Sequence, residues 1–216
     1  MTDVSQLGGG YADSMPDPEP TVEAVLQAAR PGSPDAHLVV IAGPPGVGKS
    51  AATARIVELL PNSLWLDKDI TASGFILQSA RDRGLPESAA YGHEHYHRHL
   101  RPHEYAGPTA QACANLVGTR QVLLVGGWGP ELAVDRLWTG LRQRIAPSRF
   151  TVIHLDAPPL EEWRRRMAAR GSRSDSPWFE AFARKVTSQP VWEDASRVST
   201  DRPLAEVVQV ILNLLG

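Results

Sequence analysis

Cysteine is nearly absent from this 216-residue chain. Cys113 stands alone, so no internal disulfide can form, and no Cys/His spacing of a zinc finger occurs. That usage fits a reducing compartment, and Cys113 reads as a packed small hydrophobe. Long apolar runs are also missing. Nowhere do about 18 consecutive apolar residues occur, and residues 1–10 have no basic start followed by an apolar core, so neither a membrane span nor a secretion signal is indicated. The expectation is a cytoplasmic protein without a membrane partner. Net charge is scarce as well: 22 Lys and Arg against 24 Asp and Glu leave −2 at pH 7. With a sequence pI near 6.4 there is no general basic field, and no nucleic-acid partner is expected. Lysine is rare, three residues against 19 arginines, so each lysine carries information. No internal repeat occurs. What remains, 42% hydrophobic and 21% charged residues, suits one globular domain with a sizeable core.

One of the three lysines lies in the stretch that organises the chain, residues 38–50 (LVVIAGPPGVGKS). The apolar run 38–42 reads as a buried strand. It breaks into Gly43-Pro44-Pro45-Gly46-Val47-Gly48-Lys49-Ser50, which fits G-x-x-x-x-G-K-[ST]. Glycines let successive backbone N–H groups turn inward around an anion, Lys49 carries charge to the outer phosphates, and the Ser50 hydroxyl is placed to ligate Mg2+. A helix beginning near Gly48 adds its positive dipole end. Gly43 through Ala51 is therefore the candidate binding segment for ATP or GTP.

A second stretch follows. The short apolar strand 63–66 runs into Asp67-Lys68-Asp69, which puts two carboxylates at the strand edge where open α/β sheets bind ligands. The alternative is a polar turn in which Asp69 or Thr71 caps a helix starting near Ala72. Further strands are expected over 121–125, 150–155 and 195–199. Helices are expected over 21–29, 51–60, 72–83, 108–117, 130–145, 160–170, 177–186 and 204–215. Residues 1–20, rich in Gly, Pro, Ser and Asp, read as a flexible N-terminal tail, leaving 21–216 as one domain. Five strands alternating with helices specify an α/β fold with a parallel sheet covered on both faces.

The third strand breaks into Gly126-Gly127-Trp128-Gly129, either a close backbone approach to a ligand or a tight turn. Arg166 and Arg170 lie one turn apart, with Arg173 following on the same side were the helix continued. They form either a solvated basic face or part of a mobile lid over phosphates. The histidine-rich segment 91–105, with His93, His95, His97, His99 and His103, leaves three options open: a metal site, a polar pocket wall, or plain surface.

Together these motifs resemble the small-molecule kinases of the phosphate-loop superfamily, the group that includes shikimate kinase, gluconate kinase and chloramphenicol phosphotransferase. The likeness covers roughly residues 38–212. It rests on the phosphate loop, the paired acids after the second strand, Arg101-Pro102-His103-Glu104 as an R-x-x-E pair, Gly126-Gly127 after the third strand, and the arginines of 166–173 after the fourth. Trp128 stands where shikimate kinases carry a third glycine, and the V-D-S-L pattern of chloramphenicol phosphotransferase aligns on Asp69. The first departs from the shikimate pattern, and the second implies a bulkier hydroxylated acceptor, such as an antibiotic, an aminocyclitol or a sugar.

The resemblance implies a three-layer α/β/α P-loop NTPase fold, a five-stranded parallel sheet in the order 2-3-1-4-5, an acceptor region at about 70–108 and a helical lid at about 164–176. It implies transfer of the γ-phosphoryl group of ATP to a hydroxyl of a small molecule, by a monomer or homodimer. Lys49, Asp69 and Arg170 would be catalytic. Ser50 and Asp67 would position Mg2+, while Arg166, Arg170 and Arg173 close over the nucleotide. Asp67, Asp69, Arg101, Gly127 and Trp128 would meet the acceptor. The competing readings are a nucleotide or nucleotide-sugar kinase and, from another class, an ATP-binding regulatory switch. The third strand ends without the acid that usually helps a conventional NTPase hold magnesium.

Overall fold

Strands that are apolar on both faces require a sheet covered on both sides. In the computed structural model, which describes residues 16–216, β1 (His37–Ala42) is buried at all six positions. β3 (Gln121–Val125) is buried after its first residue. With β2 (Ser63–Asp67), β4 (Arg149–Asp156) and β5 (Ser196–Ser199) they form one parallel sheet in the order β2-β3-β1-β4-β5. The expected architecture and strand order are thus present. Register aligns the strand exits: Asp67 pairs with Val125, Ile41 with Val125, Ala42 with His154, and Asp156 with Ser199. Every loop that follows a strand therefore emerges on one edge.

Alternate side chains of the sheet point into two cores. Leu38, Val40, Leu124 and Val152 meet α1 (Glu19–Ala28), α4 (Arg101–Ala114) and α5 (Asp135–Ile145) on one face. Val39, Ile41, Leu123 and Ile153 meet α2 (Lys49–Leu59) and α8 (Leu204–Leu215) on the other. Two smaller clusters lie apart. One joins α3 (Lys68–Asp82) to Tyr91 and Tyr96. The other joins α6 (Leu160–Ala169) to α7 (Trp178–Thr187) through Trp163, Met167, Phe179 and Phe182. Among the described residues, no helix is long and apolar enough to cross a membrane.

Several boundaries differ from the sequence expectation. α3 begins at Lys68 rather than near Ala72, because the Asp67 carboxylate caps it by accepting the Asp69 N–H at 2.9 Å. Its first turn is polar, so apolar spacing does not reveal it. α4 begins at Arg101, seven residues early, with Pro102 in the first turn where a missing N–H costs nothing and Pro108 inside the helix. Residues 130–145 split into a 3-10 turn, Gly129–Ala133, and α5. α1 starts at Glu19, and the expected tail lies outside the described residues over 1–15.

Candidate active site

The phosphate loop leaves β1 at Gly43, whose φ of +138° and 2.6 Å approach of a notional Cβ to the Leu155 carbonyl leave room for glycine alone. Gly46 is equally constrained, at φ +79° with Met167 Sδ 2.7 Å from a notional Cβ. Pro44 and Pro45 offer no N–H to a phosphate. Their carbonyls serve instead: Lys49 Nζ donates to the Gly43 and Pro44 oxygens, each at 2.8 Å, and Trp163 Nε1 donates to the Pro45 oxygen at 2.8 Å. α6 thus braces the loop. Gly48 is the N-cap of α2, which aims its unsatisfied N–H groups and dipole at the loop. Burial lowers the Lys49 pKa to about 8; Asp69 and Asp67 oppose that shift, and Arg170 reinforces it.

Asp67 and Asp69 meet this loop from the exit of β2, one strand beyond β3. Ser50 Oγ donates to Asp67 Oδ2 at 3.4 Å while Asp67 Oδ1 holds the α3 cap. Two hard oxygens so spaced suit one octahedral cation, whose adjacent ligands at roughly 2.0–2.1 Å stand about 2.9 Å apart. Ser50 and Asp67 therefore fit Mg2+. Among the described residues no three His, Cys, Asp or Glu side chains gather around an ion, the histidine segment included. There His95 and His99 rings lie 4.9 Å apart at the start of a π-helical turn, Tyr96–Leu100.

The environments of the two acids push them apart. Burial, then the Asp69 charge, raise the Asp67 pKa against the Asp69 N–H and the two lysines. Burial also acts to raise Asp69, but Lys68, with Lys49 and Arg170 beyond it, holds that carboxyl below its usual value. A separated pair of this kind assigns different work to each acid. Asp69, with a side chain 45% exposed, is held toward its carboxylate form by Lys68.

Lys68 was not a candidate in the sequence, yet it anchors the site from below. Its ammonium lies 2.6 Å from Asp69 Oδ1 and 2.7 Å from Glu104 Oε1, and Glu104 Oε2 accepts the Tyr96 hydroxyl at 2.7 Å. The R-x-x-E pair divides. Glu104 turns to Lys68, whereas Arg101 is buried and makes a bidentate pair with Glu131, at 3.0 and 2.6 Å. The guanidinium also lies 4.9 Å from the Tyr105 ring centre, and the Tyr105 hydroxyl accepts the Trp128 N–H at 3.1 Å. Arg101 and Trp128 are thus core groups beneath the site rather than exposed in it. Trp128 nonetheless keeps a backbone suited to glycine, φ +60°. The available signal for Lys68 was its rarity between two acids. Glu131 reads locally as an ordinary helix-opening residue.

Two cavities border the loop. The larger, about 540 Å³, lies between Gly46–Ala51 of the loop, Arg166 and Arg170 of α6, and Thr200, Arg202 and Leu204 after β5. Arg166 reaches across it by donating to the Thr200 carbonyl at 3.1 Å. Arg173 does not line it; it pairs with Asp175 at 2.9 Å and lies over Trp178, 4.5 Å from the ring centre. The smaller cavity, about 180 Å³, is lined by Pro44, Gly127, His154, Asp156 and Arg197, among others. Of the expected acceptor groups, Gly127 alone reaches it.

The AAA domain family profile matches residues 39–188. No curated protein sequence is similar to the chain at a significant level. Among solved structures, the tunicamycin resistance protein of Deinococcus radiodurans superposes with a TM-score of 0.55 at 17% identity, over 84% of this chain and 96% of that one. Shikimate kinase from Acinetobacter baumannii, in complex with shikimate, gives 0.51 at 20% identity, over 83% and 92%. A gluconokinase from Sinorhizobium meliloti 1021 gives 0.51 at 17%, over 86% and 91%. The likeness to these three is one of fold.

Proposed function

From a chain that belongs to the AAA domain family of phosphate-loop proteins, we propose an ATP-dependent phosphotransferase that moves the γ-phosphoryl group to a hydroxyl of a small molecule. One observation carries the reading: Asp67 and Asp69 leave β2 beside Lys49 and Ser50, with Ser50 Oγ and Asp67 Oδ2 3.4 Å apart. Carboxylates held there have no use in binding a polyanion, but they serve a cation and an attacking hydroxyl.

In this reading the larger cavity takes the nucleotide. The N–H groups of residues 46–51 and the Lys49 ammonium hold its phosphates, and Leu204 and Val207 support the base. Mg2+, held by Ser50 and Asp67, would neutralise charge on the outer phosphate oxygens. Asp69 accepts a hydrogen bond from the acceptor hydroxyl. The hydroxyl oxygen then forms the new bond to phosphorus as the bond to the bridging oxygen breaks, ADP leaves, and the proton passes to Asp69 or to water. In a loose transition state little proton transfer is needed early, so a carboxyl with a lowered pKa suffices to orient the nucleophile. Arg170 and Arg166, on a lid spanning about 164–176, balance the developing charge. The acceptor hydroxyl meets Asp69 at the start of the segment of about 70–108, where Ile70 and Phe75 of α3 are exposed. The commitment of Arg101 to Glu131 removes a cation from any second phosphate pocket, which favours a neutral acceptor over a nucleotide.

Asp69→Asn tests the reading. It is expected to leave affinity for an ATP analogue within about twofold and to lower phosphorylation of a turned-over acceptor at least about a hundredfold. An unchanged rate, or ATP turnover that no hydroxyl compound accelerates, refutes it.

A further inference from the structure

The smaller cavity is not part of the nucleotide site, and its chemistry is specific. Four strand exits build it: Pro44 after β1, Gly127 after β3, His154 and Asp156 of β4, and Arg197 of β5, together with the last two residues of α7 and the segment after it as far as Val191. His154, on the inward-facing row of β4, is almost wholly buried. Its Nδ1 lies 2.7 Å from Asp156 Oδ1, and in the neutral imidazole a carboxylate so placed takes the Nδ1 proton as its hydrogen-bond donor, with Nε2 then the acceptor. Arg197 also pairs with Asp156, sharing Oδ1 with His154 through Nη2 at 2.8 Å and reaching Oδ2 through Nε at 3.2 Å. Among the described residues, Asp156 and Arg197 are the only Asp, Glu, Lys or Arg side chains lining the cavity, and they neutralise each other. The remaining polar side chains there, Thr187 and Gln189, are uncharged.

Position ties this cavity to the outer end of the triphosphate. The loop lysine reaches the outer phosphates, and Lys49 Nζ already touches the carbonyl of Pro44, a lining residue. Between the cavity and Asp69 run two residues without side chains. A Cβ on Gly126 would stand 3.4 Å from Lys68 Cδ, and Gly127 lines the cavity itself. At about 180 Å³ the space is below the roughly 300–1,000 Å³ of drug-sized sites and suits a single small ring.

We propose that this cavity seats the phosphate acceptor and selects a neutral, ring-sized polyhydroxylated molecule, with His154 Nε2 accepting a hydrogen bond from one hydroxyl while another reaches Asp69 over the Gly126-Gly127 saddle. The assignment rests on the phosphotransferase reading and narrows its acceptor class. A charged acceptor would meet an already paired Asp156–Arg197 couple and gain no ion pair there.

Saturation-transfer NMR on the full chain, with Mg2+ and a non-hydrolysable ATP analogue, tests it. The probes are myo-inositol and D-glucose, with gluconate and AMP as charged comparators. At least one neutral probe is expected to bind, about tenfold more weakly in His154→Phe and in Val191→Trp, which fills the cavity. His154→Gln, which retains an acceptor atom, is expected to keep most of the affinity, and the analogue affinity is expected to hold within about twofold throughout. Should His154→Phe lose the analogue as well, Val191→Trp decides. Binding of neither neutral probe, preference for a charged one, or affinities indifferent to the decisive variant overturns the proposal. The same samples given γ-labelled ATP separate the two readings: a neutral probe that binds in a His154-dependent way but is never labelled refutes phosphoryl transfer and leaves the specificity of the cavity standing.

Discussion

Replacing Lys68 by methionine preserves the length of the side chain and removes the charge that links Asp69 to the core. The ammonium, on a side chain 11% exposed, is the cation that neutralises Glu104, whose side chain is 0% exposed. In Lys68→Met, Glu104 stays buried with only the Tyr96 hydroxyl as partner. Breaking a buried ion pair from one side costs about 3–5 kcal/mol. For a domain of this size each kcal/mol moves Tm by about 2–4 °C, so a fall of roughly 6–20 °C follows. Removing both charges has a different consequence. Lys68→Met with Glu104→Leu leaves the buried Tyr96 hydroxyl without this partner, a cost of about 1–3 kcal/mol, while the half-exposed Asp69 exchanges its lysine contact for water. Adding Tyr96→Phe removes that as well, and the triple variant is expected to return to within about 1 kcal/mol of the wild type, since apolar replacement of a buried pair is near neutral. Urea unfolding followed by circular dichroism, with the slope compared across the series, measures all three. The folded pKa of Lys68 is raised, so its stabilisation is complete below the ordinary lysine value and fades only as pH climbs past the folded one. The difference between wild type and Lys68→Met is therefore flat across neutral pH on the lysine side. A single variant within about 1 kcal/mol of wild type, or a triple variant less stable than the single one, refutes the reasoning.

Further outcomes follow from the loop. With the nucleotide-free Lys49 pKa lowered to about 8, the binding-competent charged form is lost as pH rises through that value. Affinity for an ATP analogue is expected to weaken approaching tenfold per pH unit above it, while Lys49→Arg, charged throughout, shows no such slope; calorimetric titration from pH 7 to 9.5 decides. Trp163→Phe deletes the donor to the Pro45 carbonyl. It is expected to destabilise the fold by about 1–3 kcal/mol and to weaken analogue binding with it; unchanged values of both would remove the bracing role of α6.

Some of this was legible locally. The buried runs of β1 and β3, the loop that follows Ala42 and the paired acids after β2 are written in consecutive residues, because strand burial, left-handed glycines and strand-end position are short-range properties. Even so, the start of α3 was hidden, since its cap and first turn are polar. Trp128 concealed a backbone turn of the kind glycine marks, because the tryptophan side chain fills the core, tilted against Tyr105 and edge-on to Trp138. Arg101 and Glu104, three residues apart, gave no sign that they serve different partners.

By itself, then, the chain determined the α/β class and the Gly43–Ser50 loop, both of which depend on spacing along the backbone, while its strand order was implied only by the family resemblance. Tertiary structure alone decided which charges are spent inside and which face a ligand. Glu104 and Lys68 lie 36 residues apart and Arg101 and Glu131 lie 30 apart, while Asp156 meets Arg197 only because β4 and β5 pair in register. A buried carboxylate must find a cation wherever the chain brings one within reach, and that distance is set by packing, not by neighbours in sequence.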